Sequence, residues 1–521
     1  MKILFEVRAK DLLGRLGRVR IGDKSIETPA FVPVINPINQ IIPAQEIKHE
    51  FGCGIVITNS YILYRRLRDE AAERGVHSII GFDGVVMTDS GGYQVLEYGG
   101  VDAGPVETAL FQESIGTDVA IPLDKPTGVV GRAEALATVE QTLANVRETI
   151  RALGDSRRCA WAAPIQGGIY ADLVKRCAEE LSEMGFFDIY ALGSPTPLMQ
   201  NYQYEKLVKM MAVAKLASPV DRPLHLFGAG HPMMFAFAAA LGYDTFDSAS
   251  YVLFAREGRY MLDTRTVKLE KLEYLPCECK ACRGVSVREL RSMEHRERTR
   301  LLAYHNLSVC FREVALVKQA IAEGRLFELL ELRARGHPAL MQALHHLIHD
   351  DKTLSAMESH TPISKPRALA LYDSSSLARP EVRRATKRLA YISLNPYSRV
   401  RAVMIPQRVV TTKRLEDLLT RLREHVNIEE AILMTYYSPF GAVPLPLART
   451  YPFSQVIYPS SLLSSDVEDN IGRAVDVLRR SKVREVLLVK WRREPPEWFI
   501  KALKERIIEE LRDVKAGTVE I

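Results

Sequence analysis

Cys277, Cys279 and Cys282 crowd into the run CECKAC, and His305 follows 23 positions after the last of them in the helical segment AYHNL. Three thiolates and an imidazole make a tetrahedral ligand set. A site closed by four protein ligands leaves no position for water or substrate, so its metal is structural. The spacing predicts one structural Zn2+ per chain. The competing reading is three incidental cysteines near an ordinary surface histidine. Cys53, Cys159, Cys177 and Cys310 lie scattered, and an odd total of seven does not make a disulfide framework.

Three aspartates form the second set. Asp89 in MTDSGGYQ, Asp124 in IPLDKPTG and Asp247 in YDTFDSASY each follow an apolar run. Carboxylates at strand ends can divide the work of nucleophile and general acid/base. Aspartate also forms turns and caps helices there, so any one of the three taken alone could serve structure only. Three together favour a site. Gly91-Gly92, Gly167-Gly168 and Gly228-Ala229-Gly230 stand at similar positions, where a missing side chain lets a flat ligand approach the backbone or simply allows a tight turn.

Residues so far apart converge only on a frame of many short strands. Eight β-rich runs, each closed by Gly, Ser, Asn or Asp, recur through the first half: Ile26–Val34, Gly54–Ser60, Val85–Gly92, Val119–Asp124, Cys159–Gly168, Phe187–Ser194, Pro223–Gly230 and Thr245–Tyr251. Between them, segments such as Arg132–Leu153 and Ala171–Met184 carry apolar residues at three- and four-residue intervals, as crossover helices do. This rhythm predicts an α/β fold of the (β/α)8 barrel type, with its site at the C-terminal strand ends. A doubly wound open sheet is the alternative.

Helices rich in Arg, Glu and Leu follow from Ser286 to Leu330, and a polar stretch with two prolines, His349 to Pro366, reads as a linker. Beyond it, helices (Arg414–His425, Pro496–Leu511) mix with strands (Ala431–Tyr437, Glu485–Trp491). The expected organisation is a catalytic barrel over 1–264, a metal-binding helical subdomain over 265–350, and a smaller α/β region over 367–521.

The basic charge sits in that last region. From Lys365 onward there are 28 Lys and Arg against 19 Asp and Glu, whereas residues 1–364 hold 42 against 45. Such asymmetry suits a polyanion-binding appendage, although a mildly basic solvated surface would look the same. Arg383, Arg384, Lys387 and Arg388, on one expected helix, are the candidate phosphate contacts. With 47% hydrophobic and 26% charged residues and no apolar run near the ~20 residues of a spanning helix, no membrane role is expected. The N-terminus lacks the apolar core of a signal peptide, which predicts a cytoplasmic protein.

DSGGYQ, PIQGGIY, HLFGAGHP, FDSASY followed by GRYM, and the C-x-C-x2-C plus His set stand in the order found in tRNA-guanine transglycosylases. The chain resembles that family over about residues 1–350. FDSASY, HLFGAGHP and RTRLLAYHNL together point to its archaeal branch, and SLARPEVRRA and RTYPFSQVIYP extend the resemblance into the C-terminal region.

The resemblance implies an irregular barrel with a zinc-binding subdomain. It implies Asp247 as the nucleophile on the ribose anomeric carbon and Asp89 as the general acid/base, a double displacement with net retention by carboxyls ~5 Å apart. Base recognition would fall to Ser90, Asp124, Gln166, Gly167, Gly193 and Ser194, with Tyr93 stacking on the purine. The implied reaction exchanges guanine at position 15 of the tRNA D-arm for preQ0, a step of archaeosine biosynthesis, with preQ1 and queuine as alternative bases. A homodimer is expected.

Two departures stand out. Where the family pattern has Gly-Gly-Val-Val after the sixth strand, this chain has Gly193-Ser194-Pro195-Thr196. Archaeal members usually end in a PUA domain that is not expected here after the middle C-terminal region, so a separate PUA-type RNA-binding protein is a candidate partner. The competing functions are a non-catalytic tRNA-binding subunit and an archaeosine-synthase-like relative. The presence of both Asp89 and Asp247 speaks against them.

Overall fold

Short runs of Val, Ile and Ala that alternate with amphipathic helices are covered on both faces when they pair in parallel, and they do so here. The computed structural model describes residues 3–92, 103–155, 157–391, 399–410, 414–465 and 467–521. Two compact units divide the chain at residues 356 and 357.

Strands β1 (Ile3–Asp11), β2 (Gly14–Ile21) and β3 (Lys24–Thr28) form an antiparallel sheet at the start of the first unit. Pro29 has no N–H to give to a ladder. It separates β3 from β4 (Ala30–Ile35), so the single strand expected over Ile26–Val34 is two. From β4 the chain builds a closed parallel barrel with β5 (Ile55–Asn59), β6 (Val85–Asp89), β7 (Val119–Ala120), β8 (Ala160–Ile165), β9 (Ile189–Leu192), β10 (Leu224–Leu226) and β11 (Thr245–Ser248). Each of the eight answers to one of the expected runs. Closure is made by β11 on β4, where Asp247 pairs with Val32, and it excludes the open sheet.

Val19, Ile21 and Ile26 of the small sheet pack with Ile55, Val85, Val119, Ala160 and Ile189, the first residues of their barrel strands. The amino-terminal end of the barrel is therefore plugged by aliphatic side chains, each worth roughly 1.5–3 kcal/mol when fully buried. Helices Arg132–Leu153 and Ala171–Glu183 cross over between strands as the spacing required.

After β11 come a hairpin, β12 (Arg259–Met261) and β13 (Thr266–Lys268), the cysteine loop and the long helix His295–Glu323. That helix starts where the Glu294 carboxylate accepts from the N–H groups of Arg296 and Glu297 and stops at left-handed Gly324. The expected linker His349–Pro366 is in large part another helix, Asp351–His360. Leu354 and Met357, three residues apart and buried, supply the inner stripe that a polar composition hides.

The second unit holds β14 (Leu369–Ala370) to β20 (Lys515–Glu520). Its main sheet runs β17-β16-β15-β19-β20, comprising β15 (Arg401–Pro406), β16 (Ala431–Tyr436), antiparallel β17 (Val443–Pro444), β19 (Glu485–Lys490) and β20. A separate pair joins β14 to β18 (Val456–Ile457). Ala402 and Met404 of β15 face one core and Val403 and Ile405 the other, so this sheet too is covered on both sides.

The candidate phosphate contacts on the helix Pro380–Tyr391 are mostly engaged within this unit. Arg384 donates to the carbonyls of Glu358, Thr361 and Pro362, and both Arg383 and Lys387 pair with the Glu358 carboxylate. Their charge was visible in sequence, but their acceptors on a different segment were not. Among the described residues no helix is long and apolar enough to cross a membrane.

Candidate active site

Asp89 closes β6 and Asp247 lies in β11, so barrel closure brings both to one cavity of about 880 Å³. Asn59, Asp124, Gln166, Gly193, Ser194 and Phe227 share its wall.

Asp247 is held through one oxygen. Its Oδ1 accepts from the Gly228 N–H at 2.9 Å and from Nε2 of His225 at 3.1 Å. Nδ1 of His225 faces the Thr245 hydroxyl at 2.9 Å, which fixes the ring. No hydrogen bond reaches Oδ2 from the described residues. The carboxylate is thus anchored with its second oxygen available for bond formation. His225 is fully buried and was not singled out from sequence, although it opens HLFGAGHP, because one histidine inside an apolar run has no companion to mark it.

Asp89 sits in a different environment. Asn59, its register partner on β5, donates from Nδ2 to Oδ2 at 3.0 Å, and the Gly91 N–H also donates to the carboxyl. Burial first, then the charges of Asp124 and Asp247, outweigh these bonds and push the Asp89 carboxyl up to about 7. A carboxyl poised there can give and take a proton near neutrality.

A polar shelf adjoins the pair. Gln166 Nε2 donates to Asp124 Oδ2 at 2.6 Å, and the Ser90 hydroxyl to Asp124 Oδ1 at 3.4 Å. Burial pushes the Asp124 carboxyl up to about 6 against these bonds. The other end of the Gln166 amide, Oε1, accepts from the Ser194 hydroxyl at 2.9 Å and from the Thr127 N–H at 3.1 Å. Ser194 Oγ in turn accepts from the N–H groups of Thr127 and Gly128 at 2.9 and 3.2 Å. To make these contacts Ser194 adopts φ +63, a left-handed conformation that costs a serine about 1 kcal/mol. Beside it, a Cβ on Gly193 would lie 2.1 Å from Gln166 Nε2, so the amide's place depends on glycine.

Of the residues predicted from sequence, Asp89, Asp124, Gln166, Gly193, Ser194 and Asp247 line the cavity. Ser90 and Gly167 stand behind the lining, where Ser90 supports Asp124 and the Gly167 N–H donates to Thr127 Oγ1 at 3.0 Å. Tyr93 lies outside the described residues. Asn59, Thr127 and His225 complete the site without having been predicted.

The four metal-ligating candidates also converge. The sulfurs of Cys277, Cys279 and Cys282 and a ring nitrogen of His305 all lie within 4.8 Å of one another. His305 Nε2 donates to the Met261 carbonyl at 2.8 Å, which leaves Nδ1, 3.4 Å from Cys282 Sγ, as the ligand atom. Three thiolates this close repel one another without a cation, and a closed set of three sulfurs and one nitrogen suits a tetrahedral metal ion.

A family model described as queuine tRNA-ribosyltransferase matches residues 11–339. The chain belongs to this family. It is thus an enzyme of the pentosyltransferase class, as the archaeal resemblance implied. Three curated relatives carry the description tRNA-guanine(15) transglycosylase. That of Aeropyrum pernix is 41% identical over 487 residues, covering 91% of this chain and 92% of its own length. That of Thermococcus onnurineus is 41% identical over 453 residues, covering 87% of this chain and 71% of its own. That of Methanosarcina barkeri is 40% identical over 460 residues, with 87% of each chain covered.

Proposed function

We propose that this family member exchanges guanine at position 15 of the tRNA D-arm for preQ0 through a covalent enzyme–RNA intermediate, a step of archaeosine biosynthesis. The carrying observation is a pair of carboxylates in one cavity with different settings: Asp247 anchored through Oδ1 alone, and Asp89 raised to about 7. The descriptions of the relatives support position 15 and guanine as the departing base.

In this reading Asp247 Oδ2 attacks C1′ of the ribose as the bond to guanine breaks, and protonated Asp89 gives its proton to the leaving nitrogen. The product is a ribosyl ester on Asp247. Asp89, now a carboxylate, takes a proton from the incoming base, whose nitrogen attacks C1′ and expels Asp247. Two inversions give net retention, and no external energy source is needed. Asp124, Gln166 and Ser194 face the donor and acceptor edge of the purine, with Ser90 behind them and Tyr93 as the stacking partner. The Cys277, Cys279, Cys282 and His305 set holds one zinc ion that stabilises the fold and takes no part in these steps.

The deciding experiment incubates the protein with bulk tRNA and radiolabelled preQ0 or guanine, then maps the label. Label confined to position 15 from either base is expected. Incorporation of preQ1 or queuine in preference to preQ0 would overturn the base assignment, and no incorporation of any base would overturn the function.

Guanine release needs Asp89 with its proton. A carboxyl raised to about 7 loses that proton above neutrality, so the single-turnover rate of release should fall about tenfold per pH unit on the alkaline side. A rate still climbing through that range would place the acid elsewhere. Ser194→Gly keeps the left-handed backbone but removes the hydroxyl that bonds the Gln166 amide and the N–H groups of Thr127 and Gly128. With hydrogen bonds worth about 1 kcal/mol each, KM for the free base should rise roughly tenfold while KM for tRNA stays constant. Parallel rises in both would mean that Ser194 serves the fold rather than the base.

A further inference from the structure

The cations Arg383, Arg384 and Lys387 of the helix Pro380–Tyr391 are engaged by Glu358 and by backbone carbonyls, and part of the basic surplus lies elsewhere in the second unit. The carboxyl end of β19 is one place where it stands unbalanced. There Trp491 and Glu494 exchange backbone hydrogen bonds at 2.9 and 3.2 Å, closing a tight turn that presents Arg492 and Arg493 to solvent. Neither guanidinium has an acidic partner among the described residues. The nearby acids are already used: Glu494 accepts from Arg408 at 2.7 Å, and Glu497 pairs with Lys490 at 3.1 Å.

The turn is preorganised. Arg492 takes φ +59, its N–H donates to the Ile521 carbonyl at 3.4 Å, and its guanidinium lies 5.9 Å from the Trp491 ring. Arg421 approaches the same ring at 5.7 Å. Directly after the rigid Pro495-Pro496 and Glu497, Trp498 leaves 45% of its surface in solvent, unusual for the largest apolar side chain. Two solvent-facing guanidinium groups without an acidic partner, followed closely in sequence by an exposed indole, are the chemistry that grips a polynucleotide, with charge for phosphates and a flat face for an unpaired base.

We infer that the turn Trp491–Glu494, with Arg492, Arg493 and Trp498, is an RNA-contacting surface of the second unit, through which the substrate tRNA is held by its phosphates. The inference rests on the tRNA reading above. It assigns affinity for RNA to a place remote in sequence from the base pocket, so the two functions separate in mutants.

The test uses the full chain with Arg492→Asn and Arg493→Gln combined; asparagine is chosen because it tolerates the left-handed backbone. Binding of tRNA is measured across a salt series beside Arg512→Ala with Lys515→Ala, which removes equal charge at the amino end of the neighbouring parallel strand β20, the opposite end of the sheet from the turn. Loss of two phosphate contacts should flatten the dependence of log Kd on log salt by about 1 to 2 units and weaken low-salt binding roughly tenfold, with KM for the free base unchanged. Trp498→Ala should weaken binding further and Trp498→Phe should largely restore it. Equal slopes for the turn variant and the parent, or an equal loss in the control pair, overturn the inference while leaving the proposed function standing. Failure of the parent itself to bind tRNA would instead overturn that function.

Discussion

Asp247→Asn is expected to abolish the covalent adduct with tRNA and to slow base exchange by roughly 10⁴-fold or more, the scale on which loss of a covalent nucleophile acts. Asparagine suits the test because its side-chain oxygen still accepts from Gly228 and His225, both of which bond only to Oδ1 in the parent. What disappears is the second oxygen. Stability should therefore hold while chemistry stops. Asp89→Asn keeps the nucleophile but cannot supply a proton, so it should bind tRNA normally and turn over about 10²- to 10⁴-fold more slowly. Each variant is incubated with tRNA without an incoming base and run on a denaturing gel. A denaturant-stable adduct in the Asp247 variant and none in the Asp89 variant would reverse the two roles.

The meeting of Asp89 and Asp247 at one cavity was legible because each follows an apolar run and the barrel rule places such ends at the mouth, whereas their separate roles came only from the family resemblance. The eight strands were legible for the same reason: β-branched runs punctuated by Gly, Ser, Asn or Asp do not fit a helix period. Where strands were short the reading overshot. Only Val119 and Ala120 of the run Val119–Asp124 pair in the barrel, because the side-chain amide of Gln112 takes both the N–H and the carbonyl of Ile121, the next residue. Contacts between distant segments were invisible. The bond from Ser194 to Gln166 joins loops after different strands, and the capture of Arg383 and Lys387 by Glu358 depends on how two helices meet. A histidine inside an apolar strand looks like core until its carboxylate neighbour is placed beside it, as with His225 and Asp247. At the sequence departure, Ser194 lines the cavity and, in a left-handed conformation, bonds the amide of Gln166 through its hydroxyl.

Removing the metal should damage both stability and activity, because the ligand cluster is wired to the active cavity. His305 donates to the Met261 carbonyl, and the adjacent Asn306 accepts from the Met261 N–H at 2.9 Å. Asn306 also donates to the Tyr251 carbonyl at 3.0 Å, and the Tyr251 hydroxyl to the Val34 carbonyl of β4 at 3.0 Å. Tyr251 lines the cavity, and β4 is the strand on which β11 closes the barrel. Loss of one ligand in Cys279→Ala leaves the remaining thiolates without full compensation and releases His305 from its role. Structural zinc contributes on the order of 10 kcal/mol to folding in small domains, and in a unit of this size partial loss should lower Tm by roughly 5–10 °C. Guanine exchange should fall with it, since the position of β4 beside β11, the strand of Asp247, then depends on a loosened contact. Elemental analysis of freshly purified, unchelated protein should return about one zinc per chain. Less than half an equivalent, or a Cys279→Ala variant with unchanged Tm, would show that the four ligand atoms hold no structural ion.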